Sequence, residues 1–167
     1  MVDSTIAIIA LLVAIISLGL SVYFWKKQFR PIITVAIKTN VAGNVSIAFD
    51  LQVKNSGSIP AKDIKLTVDQ ASLENALGST ANQQNRDRWL AAFNEENSIL
   101  SLQNGESILC SFGMSQSYDE GFWKYKSKLP ITIEYLGWFG TRYKETQTIK
   151  IMNSDSFTDF HWGAKSS

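Results

Sequence analysis

One cysteine, Cys110, and one histidine, His161, are all the chain holds of the side chains that most metal and nucleophile chemistry draws on. A lone cysteine excludes an internal disulfide, the usual staple of a small secreted domain, and its simplest reading is a buried, reduced thiol. His161 lies near the C-terminus beside Trp162, too isolated for a metal cluster. Asp155 and Asp159 stand four apart in a polar tail, short of the further oxygen ligands and the glycine that a calcium loop needs. Phosphate-binding glycine loops, dinucleotide fingerprints and HExxH helices are absent from the sequence. The expectation is a non-enzyme with no cofactor and no metal.

A surplus of charge is missing as well. Lys and Arg together number 16 against 15 for Asp and Glu. Three of those cations, Lys26, Lys27 and Arg30, crowd into one short stretch, so the rest of the chain is close to neutral. A basic face for nucleic acid is therefore not expected.

What the chain has in excess is one oily run. Ile6 to Trp25 reads IAIIALLVAIISLGLSVYFW without a charge, and as a helix it would cross roughly 30 Å of hydrocarbon. A cleavable signal would carry a basic start, a shorter apolar core and a small-residue cleavage site. Here the only charge before the run is Asp3, and the run closes on Tyr23, Phe24 and Trp25. The reading is an uncleaved single-pass anchor in the cell membrane, with aromatic rings at headgroup level and the lipid bilayer as its first partner. Lys26, Lys27 and Arg30 set the topology: a short N-terminus outside, the rest in the cytoplasm. Along the helix Ala7, Ala10, Ala14, Ser17 and Ser21 fall at steps of three and four, a stripe of small residues through which a second copy or another membrane helix would pack. A monomeric anchor is the competing reading.

Beyond Pro31 the pattern changes to alternation of period two. Ile33, Val35 and Ile37 alternate with polar or small residues, as do Val45, Ile47, Phe49, Leu51 and Val53. Further strands are expected around Ile64 to Val68, Ser98 to Leu102, Ser107 to Met114, Leu129 to Leu136 and Arg142 to Ile151. Turns rich in Gly, Asn and Pro separate them, at 40–44, 55–60, 103–106 and 137–140. The expected fold is all-β, a seven-stranded antiparallel immunoglobulin-like sandwich behind one transmembrane α-helix. Its divisions are a tail 1–5, the helix 6–25, a basic linker 26–31, a sandwich 32–152 and a C-terminal tail 153–167.

The segments LQVKNSGSIPAKDIKLTV (51–68) and LQNGESILCSF (102–112) resemble the CARDB-type and related immunoglobulin-like modules of bacterial proteins. In those modules a strand ends in an Asn-x-Gly turn, a small residue opens the next strand, and a Gly-Glu turn precedes a later one. The resemblance implies a fold and a habit of binding other molecules; it carries over no functional residue. The long insertion between the third and fourth strands departs from the pattern.

That insertion, 69–97, lacks alternation, and Trp89, Leu90 and Phe93 inside it predict a short amphipathic helix over about 86–95. Its rings either cap the open end of the sandwich or face a partner. A second long loop, 115–128, brings Phe122 and Trp123. If each connection reverses direction, both loops lie at the end far from the helix, and the tip carrying Trp138 and Phe139 points back at the bilayer. Trp89, Phe93, Phe122 and Trp123 are thus the candidate partner surface, and Trp138 and Phe139 the candidate lipid contact, unless their rings close the core instead. Phe157, Phe160 and Trp162 in the tail form a candidate linear motif. The function expected is a membrane-anchored adaptor or accessory subunit acting through another protein. The competing reading is an outward-facing module for glycan or envelope proteins.

Overall fold

In a computed structural model, which describes residues 2–94, 96–116 and 120–155, the oily run forms a 27-residue helix α1, Val2–Gln28. It runs past Trp25 because Lys26 and Lys27 in the last turn suit the negative end of the helix dipole. Pro31 then bars helical backbone at Arg30. From Ser4 to Gln28 no residue is buried, and the helix is long and apolar enough to cross a membrane.

Seven strands follow: β1 (Ile33–Ala42), β2 (Ser46–Asn55), β3 (Ala61–Val68), β4 (Ile99–Leu102), β5 (Ser107–Gln116), β6 (Lys128–Leu136) and β7 (Arg142–Lys150). They pair antiparallel in two sheets, β1-β2-β5 and β4-β3-β6-β7. The alternating residues supply the core between them: Ile33, Val35, Phe49, Leu51 and Val53 from one sheet meet Ile64, Leu66, Leu129, Ile131 and Ile133 from the other. The result is a β-sandwich behind an apolar helix.

Three local expectations are corrected. Val45 does not head β2; it is 71% exposed in a tight turn that the Gly43 N–H closes on the Ser46 carbonyl at 2.9 Å. In β5 the even alternation breaks at Gly113, whose φ of +80° and the register shift beside it mark a bulge. Beyond it Ser115, not Met114, is the buried residue, while Ile108, ahead of the bulge, is 41% exposed. Finally, the insertion holds two helices, α2 (Gln70–Ala76) and α3 (Gln83–Trp89), then a 3-10 turn Ala91–Phe93, instead of one helix over 86–95. Capping decides the boundaries: the Asp69 carboxylate accepts from the Ser72 N–H and the Asn82 side chain from the Asn85 N–H. The first of these bonds holds the Asp69 carboxyl below the usual carboxylate range.

Where α1 meets the sandwich the chain has no slack. The fully buried Asn55 side chain uses its whole bonding capacity there: its oxygen accepts from the Ile32 and Gly57 amides (3.3 and 2.9 Å), and its nitrogen donates to the Ile59 and Leu102 carbonyls (2.8 and 3.0 Å). Gly57 lies flat against the backbone of 30–32, which any Cβ there would strike. The stretch 26–31, expected as a linker, is therefore a helix end followed by a clamped segment. Replacing Asn55 with Ala should cost about 3 kcal/mol, because the buried amides and carbonyls lose partners that water cannot replace. Asn55→Asp should cost as much, since a carboxylate would face two carbonyls. Urea denaturation of the full chain in detergent measures both.

Candidate functional site

The two long loops do gather at the end far from α1, and there they close the sandwich. Phe112 stacks on Trp123 (centroids 4.6 Å apart), Phe122 meets Trp123 edge-on at 4.9 Å, Trp89 meets Phe122 at 4.9 Å, and Phe93 meets Phe112 at 5.9 Å. Backbone bonds stitch the loops together, Gly78 N–H to Phe122 carbonyl (2.8 Å) and Lys124 N–H to Ala76 carbonyl (2.9 Å). Bidentate Arg86–Glu74 contacts of 2.5 and 2.7 Å tie α3 to α2, and the Glu74 carboxyl is held below its ordinary value by them.

Phe122 and Trp123, expected on a partner surface, are fully buried; their area is worth more inside the core than at the rim. Trp89 and Phe93 are half-buried in the same cluster, as a cap. Trp123→Ala should therefore cost about 3–5 kcal/mol, whereas Trp89→Ala, at the partly wet edge, should cost less than half of that. Thermal melts of the two variants check the ranking.

At the opposite end the expected tip stays outside the core. Trp138 is 46% and Phe139 88% exposed, neither ring is folded into the core, and Phe139 holds a left-handed φ of 56° that turns it outward. Trp138 packs against Trp25 of α1 at 5.7 Å. Beside it the buried Tyr135 hydroxyl reaches the Pro31 carbonyl (3.3 Å) and the Glu145 carboxylate (3.1 Å), and Arg30 lies 3.9 Å from the same carboxylate. Burial, with the Glu145 charge next, pushes the Tyr135 hydroxyl up to about 12. A raised phenol stabilises the fold fully below pH 10, and this stability is lost as pH climbs from about 10 to about 12. Tyr135→Phe should flatten the decline over that window by on the order of 1–2 kcal/mol, as read by alkaline denaturation curves.

Ala7, Ala10, Ala14, Ser17 and Ser21 all lie on exposed helix surface, and the Ser21 hydroxyl folds back onto the Ser17 carbonyl at 2.8 Å. Lys26 and Lys27 lie in the last turn of α1, Lys27 over the Tyr23 ring at 5.2 Å, and Arg30 follows two residues after the helix ends. Cys110 sits half-buried on β5, where burial and then the Asp50 charge push its thiol up, away from reactivity. Among the described residues no group of three His, Cys, Asp or Glu comes together as a metal site. His161, Asp159, Phe157, Phe160 and Trp162 fall outside the described residues.

Sequence reasoning missed one surface. Cross-strand register places Lys62, Lys65, Lys128, Arg142, Lys144 and Lys150 on the outer face of the four-stranded sheet, with Glu134 bonded to Lys144 at 2.7 Å. That bond keeps the Glu134 carboxyl below its usual range. A near-neutral total thus conceals a basic face, legible only once strand pairing is known. Paired with threonines and lacking aromatic rings, it offers no stacking platform for nucleic-acid bases.

Fold and surfaces together define a class: a two-sheet β-sandwich joined without slack to an apolar helix. Residues 1–154 match the family described as Domain of unknown function (DUF8453), and the chain belongs to that family. No curated protein and no solved structure matches it.

Proposed function

We propose that the chain is a single-pass membrane protein whose helix α1 stays in the bilayer and holds an immunoglobulin-like sandwich at the cytoplasmic surface. In this reading the sandwich acts without catalysis, as an adaptor or accessory subunit that binds another protein. The joint carries the reading. Trp25 against Trp138, Ser58 Oγ on the Gln28 carbonyl (3.3 Å), the Ser58 N–H on the Arg30 carbonyl (3.2 Å) and the Ile32 N–H on the Asn55 side-chain oxygen bind the end of α1 and the segment after it to the Trp138 tip and the β2–β3 turn. A leader destined for removal has no use for such a joint, and cleavage after Trp25 would take from Trp138 its ring contact with α1.

Orientation follows from the three cations at the sandwich end of α1. The sheet orders fit an immunoglobulin-like arrangement in which the fourth strand has moved from the first sheet to the second. The same joint aims Trp138 and Phe139 at the headgroup level, where an amphipathic indole is most stable. Full-length protein should stay with membranes through alkaline carbonate extraction; release into the soluble fraction would sink the anchor. In vesicles carrying brominated lipid, Trp138→Ser should lower the quenched share of tryptophan emission, and an unchanged share would remove the tip from the interface.

A further inference from the structure

The sandwich is sewn along one side and open along the other. On the β1/β7 side the Gln147 side chain donates to the Ile33 carbonyl (2.7 Å) and accepts from the Val35 N–H (2.9 Å), bridging the two sheets. On the β4/β5 side three strands face four, so β4 has no strand opposite it. A cleft of about 260 Å³ remains, lined by Leu51, Val53, Ile64, Ile99, Ile108 and Cys110 with no charged residue.

The backbone along this opening is a free edge. The Asn55 N–H on the Glu106 carbonyl sets the phase of the β2/β5 ladder. Val53 opposite Ile108 and Leu51 opposite Cys110 then exchange bonds, while Ser107, Leu109 and Ser111 turn their N–H and carbonyl groups outward. Those three amides have no partner among the described residues. From Phe112 onward the edge is covered, by Trp123 Nε1 on the Phe112 carbonyl and the Trp123 N–H on the Met114 carbonyl.

Sheet edges are ordinarily guarded by charge, shortness or cover. β7 carries Arg142, Lys144, Glu145 and Lys150, β1 lies under Gln147, and β4 is four residues long. The open part of β5 reads SILCS, without a charge, and its Leu109 is 54% exposed.

We propose that this edge receives an extended, uncharged segment of a partner protein, which joins the three-stranded sheet as a fourth strand and sets alternate apolar side chains into the cleft. Charge complementarity selects this occupant: no side chain of SILCS or of the cleft lining is charged, so a charged side chain set into the cleft would be desolvated unpaired. A second copy fits less well, because antiparallel pairing of β5 with itself would send the two α1 helices in opposite directions and away from a shared bilayer. The proposal rests on the reading of the sandwich as a protein-binding module and names its interface.

The test uses the full chain in lipid nanodiscs and a dansyl-labelled nine-residue peptide of alternating threonine and valine. Peptide binding should raise anisotropy and slow hydrogen exchange at Leu109 and Ser111 at least tenfold. Leu109→Pro, which removes an outward N–H and spares the β2 ladder, and Ile108→Lys, which sets a charge at the cleft lining, should each weaken binding tenfold or more. Absence of binding to the wild type, or equal binding to both variants, overturns the proposal. So does a Cys110-to-Cys110 cross-link between copies under mild oxidation, which would assign the edge to self-association. Failure here leaves the anchored-module reading standing on carbonate extraction, while failure of that extraction removes the anchor without touching the peptide result.

Discussion

One buried amide side chain holds the molecule's two halves in register. Asn55 ends β2, and from there it fixes the first residue after the clamped segment, the turn that follows it, and the end of β4 on the other sheet. Its own backbone also bonds to Glu106 and Gly105 in the β4–β5 turn. A polar group with four satisfied bonds in a dry site tolerates no shift of any partner, so it gives geometric definition that apolar contacts alone do not. Everything at this end, including the seat of Pro31 between Gly57 and Gly137 and the meeting of Trp25 with Trp138, follows from that fixed point.

The opposite end is closed by a different kind of interaction. Five aromatic rings from three segments pack edge-to-face and stacked, and the loops that bring them are tied by backbone bonds. Here the stabilisation comes from area removed from water, so it bears small changes in geometry better than the amide joint does. A specific joint next to α1 and a broad apolar cap away from it divide the work of holding two sheets together. The strands between need only alternate.

That division explains what could be read in advance. Alternation in β1, β2, β6 and β7 reports a buried face directly, and the Asn55-Ser-Gly57 turn chemistry marks a tight turn, so strand number and loop placement were legible. The insertion was not: α2 and α3 owe their limits to capping by Asp69 and Asn82, while the apolar spacing at Trp89, Leu90 and Phe93 reflects docking of a 3-10 turn onto the core. Phe122 and Trp123 looked like partner residues because a loop position says nothing about which way a ring will fold. The basic face was invisible for another reason. Its cations come from β3, β6 and β7, and only pairing sets them side by side.

The unequal strand count gives the remaining step. A three-stranded sheet cannot cover a four-stranded one, and the insertion fills only part of the deficit, with Ala91 and Ala92 reaching the cleft. Had the far loops extended five residues further along β5, the edge would have been covered over its whole length, as it is from Phe112 onward. The uncovered part is instead the half that starts at the Gln103–Glu106 turn, next to the Asn55 joint. On the proposed reading this puts the free edge within about 17 Å of the joint, at roughly 3.4 Å per strand residue. A partner strand arriving there would come from a chain held at the same membrane surface, and the slack-free joint would present the edge to it at one height and one angle.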